Sequence, residues 1–337
     1  MKGFLLIDKE KGITSFDVVK KVRGALCREM GERGERACGK DERAEKSVRA
    51  DGGKRLRVGK RLRVGHAGTL DPLATGLLLI AIGEATKLLE FFTGFDKEYE
   101  VTGKFGFVSD TFDADGLIEK KDSARILRFE NLDDKGKIAE INKIIKEKFT
   151  GEIRQIPPKF SALKIGGKKA YELARKGEDL EMSPRDVVID DFEIVDFEWP
   201  FISFRVACGS GTYIRSLIHD LGRELGCGAY VDELRRTKVG DFSVENAIKM
   251  KSFDEACESC EGGPGAESLI IPIEEMLSEF SVYELSDEDI EGLKDGKVLE
   301  GRNVGGNDVP VIGLYQGRAV GVLKNANGGV KFAKVLL

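Results

Sequence analysis

Residues 65–76 read Gly-His-Ala-Gly-Thr-Leu-Asp-Pro-Leu-Ala-Thr-Gly and run directly into the uninterrupted apolar stretch 77–82. Three glycines and a proline make a tight loop here, because glycine admits positive φ and proline fixes φ and removes a donor. The loop encloses a single carboxylate, Asp71. Such a frame can hold an aspartate rigidly at a cleft and let a ligand come close to the backbone. An aspartate before proline is equally a common turn signal, so the same letters suit a residue that only caps a bend. In both cases the loop needs ordered structure on either side of it.

The flanking pattern supplies that structure. Residues 4–7 read as a buried strand. Thr14 followed by Asp17 marks a helix start, and Val18, Val19, Val22 and Leu26 continue at helical spacing. Beyond the loop lie a helical segment near 87–92, a strand-like alternation over 99–107, and an amphipathic helix over 136–149 with Ile138, Ile141, Ile144 and Ile145 on one side. Residues 201–208 form a strand that leads through Gly209-Ser210-Gly211 into a helix carrying Ile214, Leu217, Ile218, Leu221 and Leu225. Residues 27–65 break the pattern. They are polar and glycine-punctuated, and the hexapeptide Lys-Arg-Leu-Arg-Val-Gly at 54–59 recurs at 60–65, a local duplication rather than a structural repeat. Residues 255–267 are acidic and glycine-rich and read as a linker. After Met276, short runs ending in 311–314, 319–323 and 330–336 suggest a small β-barrel. The division is therefore 1–270, with a flexible insertion at 27–63 and an excursion at 153–182, followed by 271–337.

Composition narrows the function. At 337 residues, with 41% hydrophobic and 34% charged side chains, the chain is globular. No stretch approaches the ~20 apolar residues of a membrane helix, and 4–7 is too short for a signal core, so a cytoplasmic protein is expected. Six cysteines in this length do not make a disulfide scaffold, and Cys257-Glu-Ser-Cys260 lacks the second pair of ligands that zinc needs. With His66 and His219 as its two histidines, the chain has no multi-histidine metal site.

The net charge of −5 argues, taken alone, against a nucleic-acid partner. Its distribution argues otherwise. Residues 1–240 carry 45 basic and 41 acidic groups, whereas 241–337 carry 9 and 18. Residues 54–63 hold six Lys/Arg and no acid. Residues 153–176 hold seven basic side chains against Glu172 alone, interleaved with Phe160 and Tyr171. Basic groups with aromatics on an excursion suit a phosphate backbone and unstacked bases, although a solvated loop can share that composition.

The loop 65–76, followed by Gly83-Glu-Ala-Thr-Lys87, resembles the catalytic motif of the bacterial tRNA pseudouridine-55 synthases, the TruB type. Further elements match. Residues 4–12 with Thr14-Ser15 resemble the family's N-terminal motif, with Glu10 where a proline is usual. Lys97-Glu-Tyr99 matches a K-x-Y element. Residues 155–164, with Gly167, Tyr171, Ala174, Arg175 and Gly177, resemble an RNA-gripping thumb. Gly211-Thr-Tyr-Ile-Arg215 and Leu234-Arg-Arg-Thr237 match the remaining active-site motifs. The likeness covers 1–26 and 64–250. The C-terminal part is similar to the RNA-binding PUA barrel, more weakly. The main departure is the extra length of 27–65.

The resemblance implies an α+β fold: a catalytic domain on a mixed, largely antiparallel sheet, a thumb at 153–182, and a small C-terminal PUA-like barrel. It implies conversion of a uridine in the T loop of tRNA into its C-glycoside isomer after base flipping. By the same resemblance Asp71 is the essential carboxylate, as nucleophile or base toward the ribose, with Arg215 as its cation. Tyr99 stacks on the uracil; Tyr213 and Leu234 line the pocket with Lys97; His66 holds RNA or the flipped nucleotide. Lys159, Lys164, Lys168, Tyr171 and Arg175 grip RNA. No redox carrier, nucleotide or metal is required, the T arm of tRNA is the partner, and a monomer acting without protein partners is expected. Two alternatives stay open: the related RNA-guided synthase of H/ACA type acting on rRNA, against which the thumb and the lack of an N-terminal extension speak, and a non-catalytic tRNA-binding or folding protein.

Overall fold

The computed structural model describes residues 1–32, 62–121, 124–178, 180–258, 265–294, 296–305, 310–326 and 328–336. Most of the insertion expected at 27–63, the first hexapeptide copy and Cys260 lie outside them. No helix among the described residues is long and apolar enough to cross a membrane.

The apolar run after the Asp71 loop becomes the strand Thr75–Ile82 at the heart of a ten-stranded sheet. From edge to edge the order is Ile248–Lys249, Gly3–Lys9, Thr75–Ile82, Ala229–Val239, Lys97–Phe105, Phe201–Cys208, Arg185–Glu198 and Gly151–Gln155, with Val64–Ala67 and Phe242–Ser243 as side branches. Two of these pairings are parallel, Gly3–Lys9 with Ile248–Lys249 and Thr75–Ile82 with Ala229–Val239; the others are antiparallel. The sheet is thus mixed and largely antiparallel.

An unbroken apolar run is what a strand covered on both faces requires. Leu78, Ile80 and Ile82 meet Leu5, Ile7 and the helix Ser15–Glu32 on one side. Leu77, Leu79 and Ala81 meet Phe4, Leu6 and Phe92 on the other. Toward the far edge the pattern changes to alternation. Tyr99, Val101 and Phe105 enter the first core with Phe204 and Val206, while Glu98, Glu100 and Thr102 face outward.

The helix starts follow their local chemistry. Thr14 and Asp17 cap reciprocally: the Asp17 N–H donates to Thr14 Oγ1 at 3.1 Å and the Thr14 N–H to Asp17 Oδ2 at 3.2 Å. Asp133 caps Asp134–Lys148 by accepting from the Gly136 N–H. The segment read as a linker from 255 begins instead inside a helix, Met250–Glu258, because Met250 and Phe253 are buried beneath its acidic letters.

The C-terminal strands form a five-stranded half-barrel in the order Ser281–Glu284, Val311–Tyr315, Arg318–Ala326, Gly329–Val335 and Leu299–Glu300. It does not stand apart. Met276, Phe280, Ile312 and Leu336 pack in the same cluster as Phe4, Leu77 and Phe92, so the hydrophobic core runs continuously across the expected boundary at 271. A smaller cluster, built from Leu285, Ile290, Val311 and Val330, fills the half-barrel itself.

Gly76 is where strand and loop meet. Its φ is +99°, and a Cβ there would lie 2.2 Å from the Arg236 carbonyl oxygen. Gly76→Ala is expected to destabilise the protein by about 3 kcal/mol in chemical denaturation, combining φ strain with a backbone clash. Gly166→Ala, at φ +56° with open space around it, should cost only about 1 kcal/mol.

Candidate active site

The Asp71 loop is clamped from behind by the N-terminal segment. Ser15, buried at the helix start, accepts from the Leu70 N–H at 2.8 Å and donates to the Leu70 carbonyl at 3.0 Å. The Gly12 N–H donates to the Pro72 carbonyl at 2.8 Å. Lys9 is fully buried and donates to the carbonyls of Glu10 and Ile13 at 2.9 and 2.8 Å. Burial lowers its pKa to about 8, against the opposing pull of Asp71. The neighbouring letters of the N-terminal motif therefore act by fixing one loop.

Asp71 points from this loop at Arg215. The Arg215 Nε donates to Asp71 Oδ2 at 2.9 Å, with the arginine side chain 5% exposed and the aspartate 37%. The strand Phe201–Cys208, the turn 209–212 and the helix Ile214–Leu225 deliver that arginine. Thr212 Oγ1 donates to the Gly209 carbonyl, and Gln155 brackets the Tyr213 backbone, its Oε1 accepting from the Tyr213 N–H at 2.8 Å and its Nε2 donating to the Tyr213 carbonyl at 3.0 Å.

Three more of the five Arg215 N–H donors are occupied. Nη1 meets Asp113 Oδ2 at 3.1 Å and the Thr111 carbonyl at 2.9 Å, and Nη2 donates to the Phe160 carbonyl at 2.9 Å. Asp113 is buried, and burial raises its carboxyl pKa while Thr111 and Arg215 pull the other way. Between these two contacts Phe112 adopts φ +63°, the left-handed region that a bulky residue avoids. Its ring stacks on His219 at 3.8 Å with planes 16° apart. His219 sits one turn beyond Arg215 on the same helix, so the stack holds the strained loop against the guanidinium.

Arg215, Asp71, Tyr99, Lys97, Tyr213 and Leu234 all line one cleft of about 280 Å³, together with Arg236. Tyr99 is buried, and burial raises its phenol pKa although Arg236, hydrogen-bonded to it, lowers it. Lys97 donates to the carbonyls of Thr93, at 2.7 Å, and Phe95. Burial, aided by Arg236, brings its pKa down to about 8. The strand alternation of Ala229–Val239 sorts its motif: Leu234 and Arg236 turn to the cleft, whereas Arg235 grips Asp8 through two bonds of 3.0 and 2.9 Å and Thr237 donates to Glu98.

His66 does not line this cleft. It lies on Val64–Ala67, its buried Nδ1 lacks a hydrogen-bond partner, and burial together with Arg236 lowers its pKa.

The excursion 153–182 leaves the sheet at Gly151–Gln155 and carries a short hairpin, Lys164–Ile165 with Lys168–Lys169, then the helix Ala170–Ala174. Ala170, Leu173 and Leu180 give it a small core of its own. Lys159, Lys164, Lys168 and Arg175 are exposed, and Arg175 and Lys169 lie over the Tyr171 ring at 5.6 and 5.5 Å. Its base is tied to the cleft by the Phe160 carbonyl on Arg215 and by Ser216 Oγ, which donates to the Ile156 carbonyl at 2.8 Å. Sequence reasoning missed Asp113, Phe112 and His219 as parts of this site, and it placed Arg236 in an active-site motif without assigning it a role. The one signal for Asp113 was the density of carboxylates and glycine over 110–116, which marks a constrained turn.

A carboxylate, an arginine and a tyrosine converging in one walled cleft describe an enzyme. A profile of the TruB family pseudouridylate synthase N-terminal domain matches residues 54–214, and one of the tRNA pseudouridylate synthase B C-terminal domain matches 215–278. The chain is 34% identical to tRNA pseudouridine synthase B of Clostridium tetani over 100% of both chains. It is 34% identical to that of Aquifex aeolicus over 90% of this chain and 87% of the relative. Among solved structures, a Cbf5-Nop10-Gar1 complex superposes with a TM-score of 0.65 at 22% identity, covering 99% of this chain and 85% of that one, a likeness of fold. The chain belongs to the TruB family of pseudouridylate synthases, and as such it is an isomerase.

Removing the second carboxylate from Arg215 should loosen its hold on Asp71. Asp113→Asn is expected to lower single-turnover isomerisation about 10- to 100-fold, with tRNA affinity changed less than about threefold.

His219 gives a pH signature. Burial, with Arg223 nearby, lowers its pKa from 6.5 to about 4. Between those values the unfolded chain binds the proton and the folded one does not, so stability is lost as pH falls from 6.5 toward 4, by on the order of 3 kcal/mol. His219→Phe keeps the stack and should remove this component from the pH dependence of urea unfolding.

Proposed function

We propose that this enzyme converts the uridine at position 55, in the T loop of tRNA, into pseudouridine, with Asp71 as the essential carboxylate, and that it does so as a monomer without protein partners. The observation that carries the reading is the Asp71–Arg215 pair at 2.9 Å inside a cleft that also holds Tyr99, Tyr213 and Leu234. Its volume of about 280 Å³ lies near the ~300 Å³ lower end of small-ligand sites. That suits one nucleoside and excludes a helix, so the target must be flipped out at a cost of a few kcal/mol.

The parts then divide the work. Lys159, Lys164, Lys168 and Arg175 grip phosphates and position the RNA, offsetting the unstacking cost. Tyr171 offers a stacking face. Tyr99 stacks on the flipped uracil, Tyr213, Leu234 and Lys97 close the pocket, and Asp71, with Arg215 as fixed counter-charge, acts on the ribose. His66 supports the pocket from the neighbouring strand. The Clostridium tetani relative named tRNA pseudouridine synthase B matches this chain along its full length, whereas the likeness to the Cbf5-Nop10-Gar1 complex is one of fold.

The test is isomerisation of a bare tRNA transcript, with and without the T-loop uridine, in the absence of guide RNA and other proteins. Only the uridine-bearing transcript should gain pseudouridine. Asp71→Asn should lower that rate by on the order of 10⁴-fold while tRNA affinity stays within about threefold. Substantial turnover by the variant would overturn the role of Asp71, and a requirement for added RNA or protein would overturn the stand-alone reading.

A further inference from the structure

Arg236 is among the largest fully buried side chains, at 1% exposure. Its Nε donates to the Leu77 carbonyl at 2.8 Å, its Nη2 to the Gly68 carbonyl at 3.2 Å, and it hydrogen-bonds the Tyr99 side chain. No described carboxylate pairs with it, whereas Arg215, across the cleft, is paired with both Asp71 and Asp113. A guanidinium has five N–H donors, so Arg236 retains free ones, and it lines the cleft. A buried cation without a counter-ion is costly to keep. Holding it with neutral carbonyls preserves its charge for something that enters the cleft.

We propose that Arg236 is a catalytic residue that stabilises the negative charge of the detached uracil. This rests on the function proposed above. When the C1′–N1 bond breaks, its electron pair leaves with N1, and the uracil carries one negative charge spread over its ring and carbonyl oxygens. The charge is consumed when C5 bonds to C1′. The C5 proton is then lost and N1 gains one, so the product is an isomer and no co-reactant is needed. Whether Asp71 attacks the sugar or removes a proton from it, the leaving base is an anion, and a fixed cation that is itself buried acts on it with little screening. Arg215 is not available for this role, because its charge is already paired with two carboxylates, Asp71 and Asp113. Lys9 and Lys97 are turned to backbone carbonyls. Arg236 also bonds Tyr99, so it ties the charge to the wall against which the base is held.

The experiment compares cleavage of the C1′–N1 bond in single turnovers on two tRNA transcripts, one with uridine and one with 5-fluorouridine at the target position. Fluorine makes the base a better leaving group that needs less stabilisation. Arg236→Gln is expected to slow uridine cleavage by on the order of 10²- to 10³-fold, and 5-fluorouridine cleavage at least about tenfold less. Arg236→Lys, which restores the charge, should recover at least about tenfold of the loss on uridine. Equal losses on the two substrates, or a lysine variant no better than glutamine, would assign Arg236 a structural role and overturn the proposal. Thermal unfolding and tRNA affinity verify that the glutamine variant is folded. Should it not fold, the lysine variant carries the same two-substrate comparison, and equal losses there are equally fatal. Failure of the wild-type enzyme to isomerise the uridine transcript refutes the proposed function instead, and is seen before any variant is made.

Discussion

One guanidinium organises this molecule. Arg215 is the point at which four segments distant in sequence are joined: the Asp71 loop, the loop carrying Thr111 and Asp113, the base of the thumb at Phe160, and its own helix. A buried arginine keeps its charge only if its donors are satisfied, and each of the three segments that meet its helix satisfies one or two of them. The demand works in both directions. The arginine needs the loops in order to be buried, and the loops, rich in glycine and carboxylates, need the arginine in order to be ordered. The strained Phe112 and its stack on His219 are the local cost of meeting that demand.

Much of this was legible in the letters, and the reasons are physical. The Asp71 loop was readable because glycine and proline restrict the backbone before any tertiary contact forms. The strand Phe201–Cys208 and the helix after it were readable because apolar spacing follows the geometry of the element. Asp71, Tyr99 and Arg215 were placed in one site by likeness to a family, and they do line one cleft. What stayed hidden was pairing across long separations. Asp113 looks like one more surface carboxylate until Arg215, 102 positions away, is brought to it. Arg236 stands beside Arg235 in one motif, although Arg235 faces the opposite side of the sheet and binds Asp8. Alternation along a strand separates the two, but only once the strand's faces are known.

Charge shows the same limit. A total of −5 hides a basic thumb and an acidic C-terminal region. The exposed lysines and arginine of the thumb lie on a small element with its own core, fastened to the cleft by backbone carbonyls rather than by side-chain charge. Lys164, Lys168 and Arg175 are exposed on it.

The continuous core beneath the central strand has a consequence for how the protein comes apart. Leu77 and Leu79 lie on the far face of the strand Thr75–Ile82, and residues of the C-terminal half-barrel help to cover them. Peeling the half-barrel away would wet the back of the strand whose front end anchors the Asp71 loop. Amides of that strand should then exchange with solvent only in openings that disrupt both regions together. The half-barrel and the catalytic sheet are, in this sense, one cooperative unit, and the half-barrel acts as a keel for a cleft that none of its described residues lines.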